Sequence, residues 1–156
     1  MNGAPEVIEI LNEILTAELT AINQYFIHAK MNEHWGLGKL AGTIRAESID
    51  EMRDADALID RILFLGGVPN VQRLNPVRVG EDVAEQLTID AELEVDAIGR
   101  YNRAIALTVE HGDNGTRAML EERLQGEEAH LDWIESQLEL IRQVGLENYL
   151  ASQIDG

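Results

Sequence analysis

Four long stretches of this chain repeat apolar residues at steps of three and four, the spacing of one face of an α-helix. The first runs from about Glu6 to Trp35, with Ile8, Leu11, Leu15, Glu18, Ile22, Tyr25 and Ala29 in line, and Gly36 and Gly38 after it. The second runs from about Lys39 to Leu65 through Leu40, Ile44, Glu47, Glu51, Asp54, Leu58 and Ile62, and stops at Gly66-Gly67 and Pro69. The third covers about Glu81 to Val109 through Val83, Leu87, Asp90, Glu94, Ala97, Tyr101 and Ile105. The fourth covers about Thr116 to Val144 through Leu120, Leu124, Glu127, Leu131, Ile134, Leu138 and Ile141. A short last segment, Leu146 to Ile154, adds one more small helix. The connections decide the topology. Gly112-Asp113-Asn114-Gly115 is a tight turn, whereas Gly66 to about Glu81 is long enough to cross a whole bundle. The expected fold is all-α, a single domain over 1–156: a four-helix bundle of two hairpins joined by one long crossover, with a short C-terminal fifth helix.

Composition fits this reading. Aromatic residues make up only 4% of a chain that is 45% hydrophobic, so the core must be mostly aliphatic, which favours helix over sheet. The three prolines, Pro5, Pro69 and Pro76, are expected outside the periodic stretches. A net charge of −17 argues against nucleic acid and against an anionic membrane surface as partners. Absence of cysteine excludes disulfides and thiolate metal sites. No basic-then-apolar start and no run of apolar residues long enough to span a bilayer is present, so the expected location is the cytoplasm.

The informative residues are acids in the wrong place. Glu18, Glu51, Glu94 and Glu127 each fall on the apolar stripe of a different helix, near its middle. Several unpaired carboxylates in one core would cost more than the roughly 5–15 kcal/mol that stabilises a domain. No Lys or Arg is expected at the same level of the stripes to pair with them, which leaves a multivalent cation to offset the charge. Glu127 and His130 form an E-x-x-H pair one turn apart on one face; Glu51 and Asp54 repeat the spacing with a carboxylate in place of the imidazole. One Glu from each of two helices and such a pair from each of the other two resembles the donor set of ferritin-like di-iron bundles. Oxygen-rich ligation with little imidazole suits iron or manganese.

The stretches NQYF (Asn23 to Phe26), ESIDEM (Glu47 to Met52), DRILFL (Asp60 to Leu65), GED (Gly80 to Asp82), EEAHLDWIE (Glu127 to Glu135) and GLENYL (Gly145 to Leu150) resemble bacterioferritin, and the likeness runs along essentially the whole chain. The resemblance implies iron storage in a hollow cage of twenty-four subunits, with ferroxidase activity: ferrous iron is oxidised by dioxygen at an intrasubunit di-iron site and kept as ferric mineral. It implies Glu18, Glu51, Glu94, Glu127 and His130 as ligands, with Glu51 and Glu127 bridging, and Tyr25 as a neighbouring electron source. It also implies that Met52, on the outer face of its helix with Ile49 and beside Leu19, Asn23 and Phe26, is an axial ligand to haem b shared by two subunits. A ferredoxin-type protein is the implied electron donor for iron release.

Three positions depart from the family pattern. Asp54 stands where the family has His. It can still reach a metal, but five carboxylates facing two ferrous ions leave one negative charge where four leave none, which is expected to favour ferric iron. Ala46 replaces a His that, with Asp50, binds iron on the inner wall in many relatives, so an inner-surface site at Glu47 and Asp50 is expected to be weak. Ala151 replaces a polar residue near the four-fold channel, while Asn148 is kept. His28, His34 and His111 lack partner spacing and are read as surface or packing residues. Asp54 motivates an alternative function: a haem-bearing storage subunit with impaired ferroxidase activity, working in iron release or in a mixed cage with a paralogous subunit. A rubrerythrin-like peroxidase is disfavoured by the missing cysteine pairs, and a metal-free structural bundle by the four buried glutamates.

Overall fold

The computed structural model of the chain describes residues 1–155. Five helices follow in order: α1 (Pro5–His34), α2 (Gly38–Phe64), α3 (Val83–Glu110), α4 (Asn114–Val144) and α5 (Leu146–Ala151). Among the described residues there is no strand. All four periodic stretches are helices, and the crossover between α2 and α3 is the only long connection among the described residues.

The helix ends follow from local chemistry. Gly36 (φ 81°) and Gly66 (φ 84°) stand just past the ends of α1 and α2 in the left-handed region, where a Cβ would be strained. The reversal lets the amides of Leu37 and Gly67 bond back to Asn32 and Ile62 at 2.9 Å each. Asp82 and Asp113 cap α3 and α4 by accepting from the amides of Glu85 (2.8 Å) and Thr116 (3.1 Å). Two expected boundaries shift. Pro5 is the first residue of α1, where its missing N–H has no helical partner to lose, and Gly38 opens α2 instead of closing α1. The last helix stops at Ala151 rather than Ile154, because the Gln153 amide turns back to Leu150 and its carbonyl accepts from Lys39 at 3.0 Å.

Helix α1 packs along α2 and α3 along α4; α1 also faces α3, and α2 faces α4. The crossover lies on α1 and is held by its polar side chains. Asn12 accepts from the Asn70 amide (2.7 Å), Thr20 from Asn75 (2.8 Å), Gln24 from Arg78 (3.2 Å) and His28 from Gly80 (3.0 Å). These residues are spaced by one or two turns, so they line one side of α1 and face the extended chain in sequence order.

The apolar interior is split in two. One cluster is built on Leu11, Leu15, Leu58, Ile62, Tyr101 and Leu120, the other on Tyr25, Leu40, Ile44, Leu87, Ile134 and Tyr149. Between them lies the level of Glu18, Glu51, Glu94 and Glu127.

Candidate metal centre

The four glutamates are between 1 and 3% exposed, and His130 is 5% exposed. Their helices run antiparallel across the bundle, so pairs form on both sides. Tyr25 of α1 donates to Glu94 of α3, and Tyr101 of α3 donates to Glu18 of α1 at 3.1 Å. In each helix the Glu and the Tyr are two turns apart, so one spacing used twice gives a reciprocal arrangement. Each ring belongs to one apolar cluster and each hydroxyl to the acid level.

The donors gather into two groups whose candidate ligand atoms lie within 4.8 Å of one another: Glu51, Glu94 and His130, and Glu18, Glu51, Asp54 and Glu127. Glu51 is common to both. Glu127 falls in the second group, yet it lies at hydrogen-bonding distance of both Glu94 and Asp54. Carboxylates that close need a shared proton or a cation between them. His130 Nδ1 is 2.8 Å from Glu94 and 3.3 Å from Glu47.

Burial sets the protonation. It pushes the carboxyls of Glu18 and Glu127 well above the usual range, and the neighbouring acids add to the effect. Burial raises Glu94 to about 7, against hydrogen bonds from Glu127 and Tyr25 that lower it. Burial and then Glu127 raise Asp54 to about 8, against the lowering effect of Arg123. Burial lowers His130. Burial thus disfavours the charged forms of these carboxyls, and a cation that binds them would displace their protons.

The residues fit such an ion. Glu18 Oε2, Glu94 Oε2 and Glu127 Oε1 are buried without a hydrogen-bond partner, although buried acceptors are normally satisfied. The donor set, carboxylates with one imidazole, suits iron or manganese rather than a softer metal.

One expectation is corrected. A cation does reach this level: Arg123 Nη1 of α4 lies 3.5 Å from Asp54 Oδ1, and its side chain is only 20% exposed. The fifth carboxylate therefore has a partner, and the predicted surplus negative charge is offset. The signal was present in the spacing. Arg123 stands four residues before Glu127, as Glu47 stands four before Glu51.

His28 is also more than a filler. It is fully buried; its Nε2 accepts from Gly80, so Nδ1 carries the proton and donates to Asp90 at 2.9 Å. Gln24 donates to the same Asp90 oxygen at 2.9 Å. Histidines 34 and 111 are exposed, as expected. Glu47 turns toward His130, whereas Asp50 is exposed and pairs with Arg53 at 2.9 Å. Met52 is 56% exposed on the outer face of α2, with exposed Ile49 near it and exposed Phe26 on α1. The Arg45 guanidinium over the Phe26 ring, 5.8 Å from its centroid, shows that the two helices share this face. An open thioether among apolar side chains fits a flat, apolar iron macrocycle.

A four-helix bundle with one long crossover and a carboxylate level at its centre defines the ferritin-like class, and the family model described as "Ferritin-like domain" matches residues 8–144. The chain is 52% identical to bacterioferritin of Streptomyces coelicolor, over 99% of this chain and 93% of that protein. It is 49% identical to bacterioferritin of Mycolicibacterium paratuberculosis (97% and 95% covered) and 42% identical to that of Brucella melitensis (96% and 92%). The chain belongs to the bacterioferritins, an iron-storage family whose members are generally ferroxidases and typically form oligomeric cages. No described helix is long and apolar enough to cross a membrane.

Proposed function

We propose that this protein oxidises ferrous iron with dioxygen inside each subunit and stores the ferric product in a cytoplasmic cage of twenty-four copies. One observation carries the reading: two donor groups share Glu51 and leave buried carboxylate oxygens without partners. Ferrous iron is the substrate. Glu18, Glu51, Asp54 and Glu127 would hold one ion, and Glu51, Glu94 and His130 the other. Binding discharges protons from carboxyls that burial keeps neutral. Electrons pass from the two ferrous ions to dioxygen. Tyr25, bonded to Glu94, would supply a further electron to dioxygen, its proton passing to that carboxylate. The apolar clusters on either side exclude bulk water. Haem b, held between two copies by a pair of Met52 thioethers, would supply an inward path for electrons from a ferredoxin-type donor to the stored ferric iron. Glu47 turns toward His130 and Asp50 pairs with Arg53, so an inner-surface iron site at these two acids would be weak or absent.

Rapid mixing of the metal-free assembled protein with substoichiometric ferrous iron and oxygen tests this. A fast phase that saturates near two ions per chain is expected. A second reading draws on the engagement of Asp54 by Arg123: a haem-bearing storage subunit with poor ferroxidase activity, acting in iron release or in a mixed cage. Absence of the fast phase from the pure protein, restored when a paralogous subunit is co-assembled, selects that reading.

A further inference from the structure

We infer that Arg123 is a positioning residue of the metal centre, and that the Asp54–Arg123 pair does the work of a neutral imidazole ligand. The inference rests on the reading of the carboxylate level as a metal site. Helices α2 and α4 carry the same spacing of donors and outer partners. On α4, Glu127 is followed three residues later by His130; on α2, Glu51 is followed three residues later by Asp54. Four residues before each glutamate comes the residue that meets the other helix's donor. Glu47 lies 3.3 Å from His130, and Arg123 lies 3.5 Å from Asp54. The two ends of the site thus hold the same construction with opposite polarity. At one end the inner donor is a base with a carboxylate outside it. At the other the inner donor is a carboxylate with a cation outside it.

An outer partner that orients a ligand and sets its charge is a general feature of metal sites. The inner donors differ by one charge, His130 neutral and Asp54 negative, and Arg123 cancels the charge of Asp54; Glu47 stands outside the count at the other end. Four glutamates, this neutral pair and two divalent ions give zero, the balance a neutral imidazole would give. Asp54 is suited to the position because it is held from both sides, by the guanidinium outside and by Glu127 within. Arg123 in turn has a buried Nε without a partner and a Nη2 bound to the exposed Glu122 at 3.1 Å. Its guanidinium is anchored at the rim while Nη1 points to the site.

An ordinary structural ion pair would affect stability when broken and leave metal affinity unmoved, so affinity is the readout. Cobalt(II) is titrated anaerobically into the metal-free assembled protein, followed by its visible absorption, for native protein, Asp54→His, Asp54→His/Arg123→Leu and Asp54→His/Arg123→Gln. The two double variants guard against a folding defect in either one. Asp54→His alone strands a cation beside a neutral ligand. Its affinity is expected to fall about tenfold or more, and removal of Arg123 in the same chain to bring it back within about threefold of native. Native affinity in Asp54→His, or double variants as weak as the single, would overturn the inference while leaving the metal site in place. No cobalt binding by the native protein would overturn the metal-site reading and the inference with it.

Discussion

The hydroxyl of Tyr101 donates to Oε1 of Glu18 at 3.1 Å, on the opposite side of the acid level from the bond between Tyr25 and Glu94. Glu18 Oε2 has no hydrogen-bond partner, so Tyr101 is the one group among the described residues that hydrogen-bonds this carboxyl. Tyr101→Phe keeps the ring in its apolar cluster and removes the donor. The metal-free protein is expected to lose about 1–3 kcal/mol, the cost of a buried acceptor left alone. Denaturant unfolding with and without cobalt(II) checks it, since an ion that takes up Glu18 should shrink the loss. An unchanged midpoint in the metal-free protein would count against the bond.

The pH dependence of the metal-free fold follows from the same level. Asp54 is raised from 3.8 to about 8 and Glu94 from 4.5 to about 7 by burial. A carboxyl raised on folding contributes stability that is full below its unfolded value and lost as pH rises through its folded value. His130 is lowered by burial and acts below its unfolded value of 6.5. Between about pH 6.5 and 8.5 the acids therefore dominate, and the melting temperature in chelator is expected to fall across that window. Saturating cobalt(II), which takes the ionised forms, should remove or reverse the trend. A flat or rising profile in chelator would contradict the neutral-donor picture.

His28→Ala breaks the clasp between α1, α3 and the crossover. It leaves Asp90 buried without its imidazole partner and the Gly80 amide without its acceptor. A loss of about 1–3 kcal/mol is expected, as for buried hydrogen-bonding groups left without a partner. Hydrogen exchange reads the local effect: protection of the Gly80 amide should be lost well before that of α2. Exchange that is unaltered at Gly80 would show that the amide is held by something else.

Met52→Leu separates haem from iron handling. The side chain is exposed and lies outside both apolar clusters, so the fold should be unaffected. The purified variant is expected to lose the Soret band of bound haem while it retains the fast phase of iron oxidation. A persistent Soret band of unchanged shape would assign the haem ligand elsewhere.

The fold was legible because long apolar stripes, glycine stops and one over-long connection each have few structural solutions. The four glutamates were legible for the same reason: an acid on an apolar stripe is an anomaly visible in one dimension. Arg123 was legible only in part: its place four residues before Glu127 was visible, but its contact with Asp54 depends on α2 and α4 being set antiparallel in one register. That register is a property of the packed bundle. His28, Gln24 and Asn32 were missed for another reason. Helix α1 is buried on more than one side, since the crossover covers a face that a single stripe would assign to solvent. Polar residues repeating every turn along that face were the available sign.

The attachment of the crossover to α1 has its own consequence. From Asn70 to Gly80 the segment is gripped through its backbone amides, while Val71, Leu74, Val77 and Val79 project outward and are exposed. A strap fastened by its main chain depends little on its outward side chains and much on its length, since one inserted residue would misalign every later fastening. The registration of these four bonds thus fixes the number of residues in the strap more tightly than the identity of Val71, Leu74, Val77 and Val79.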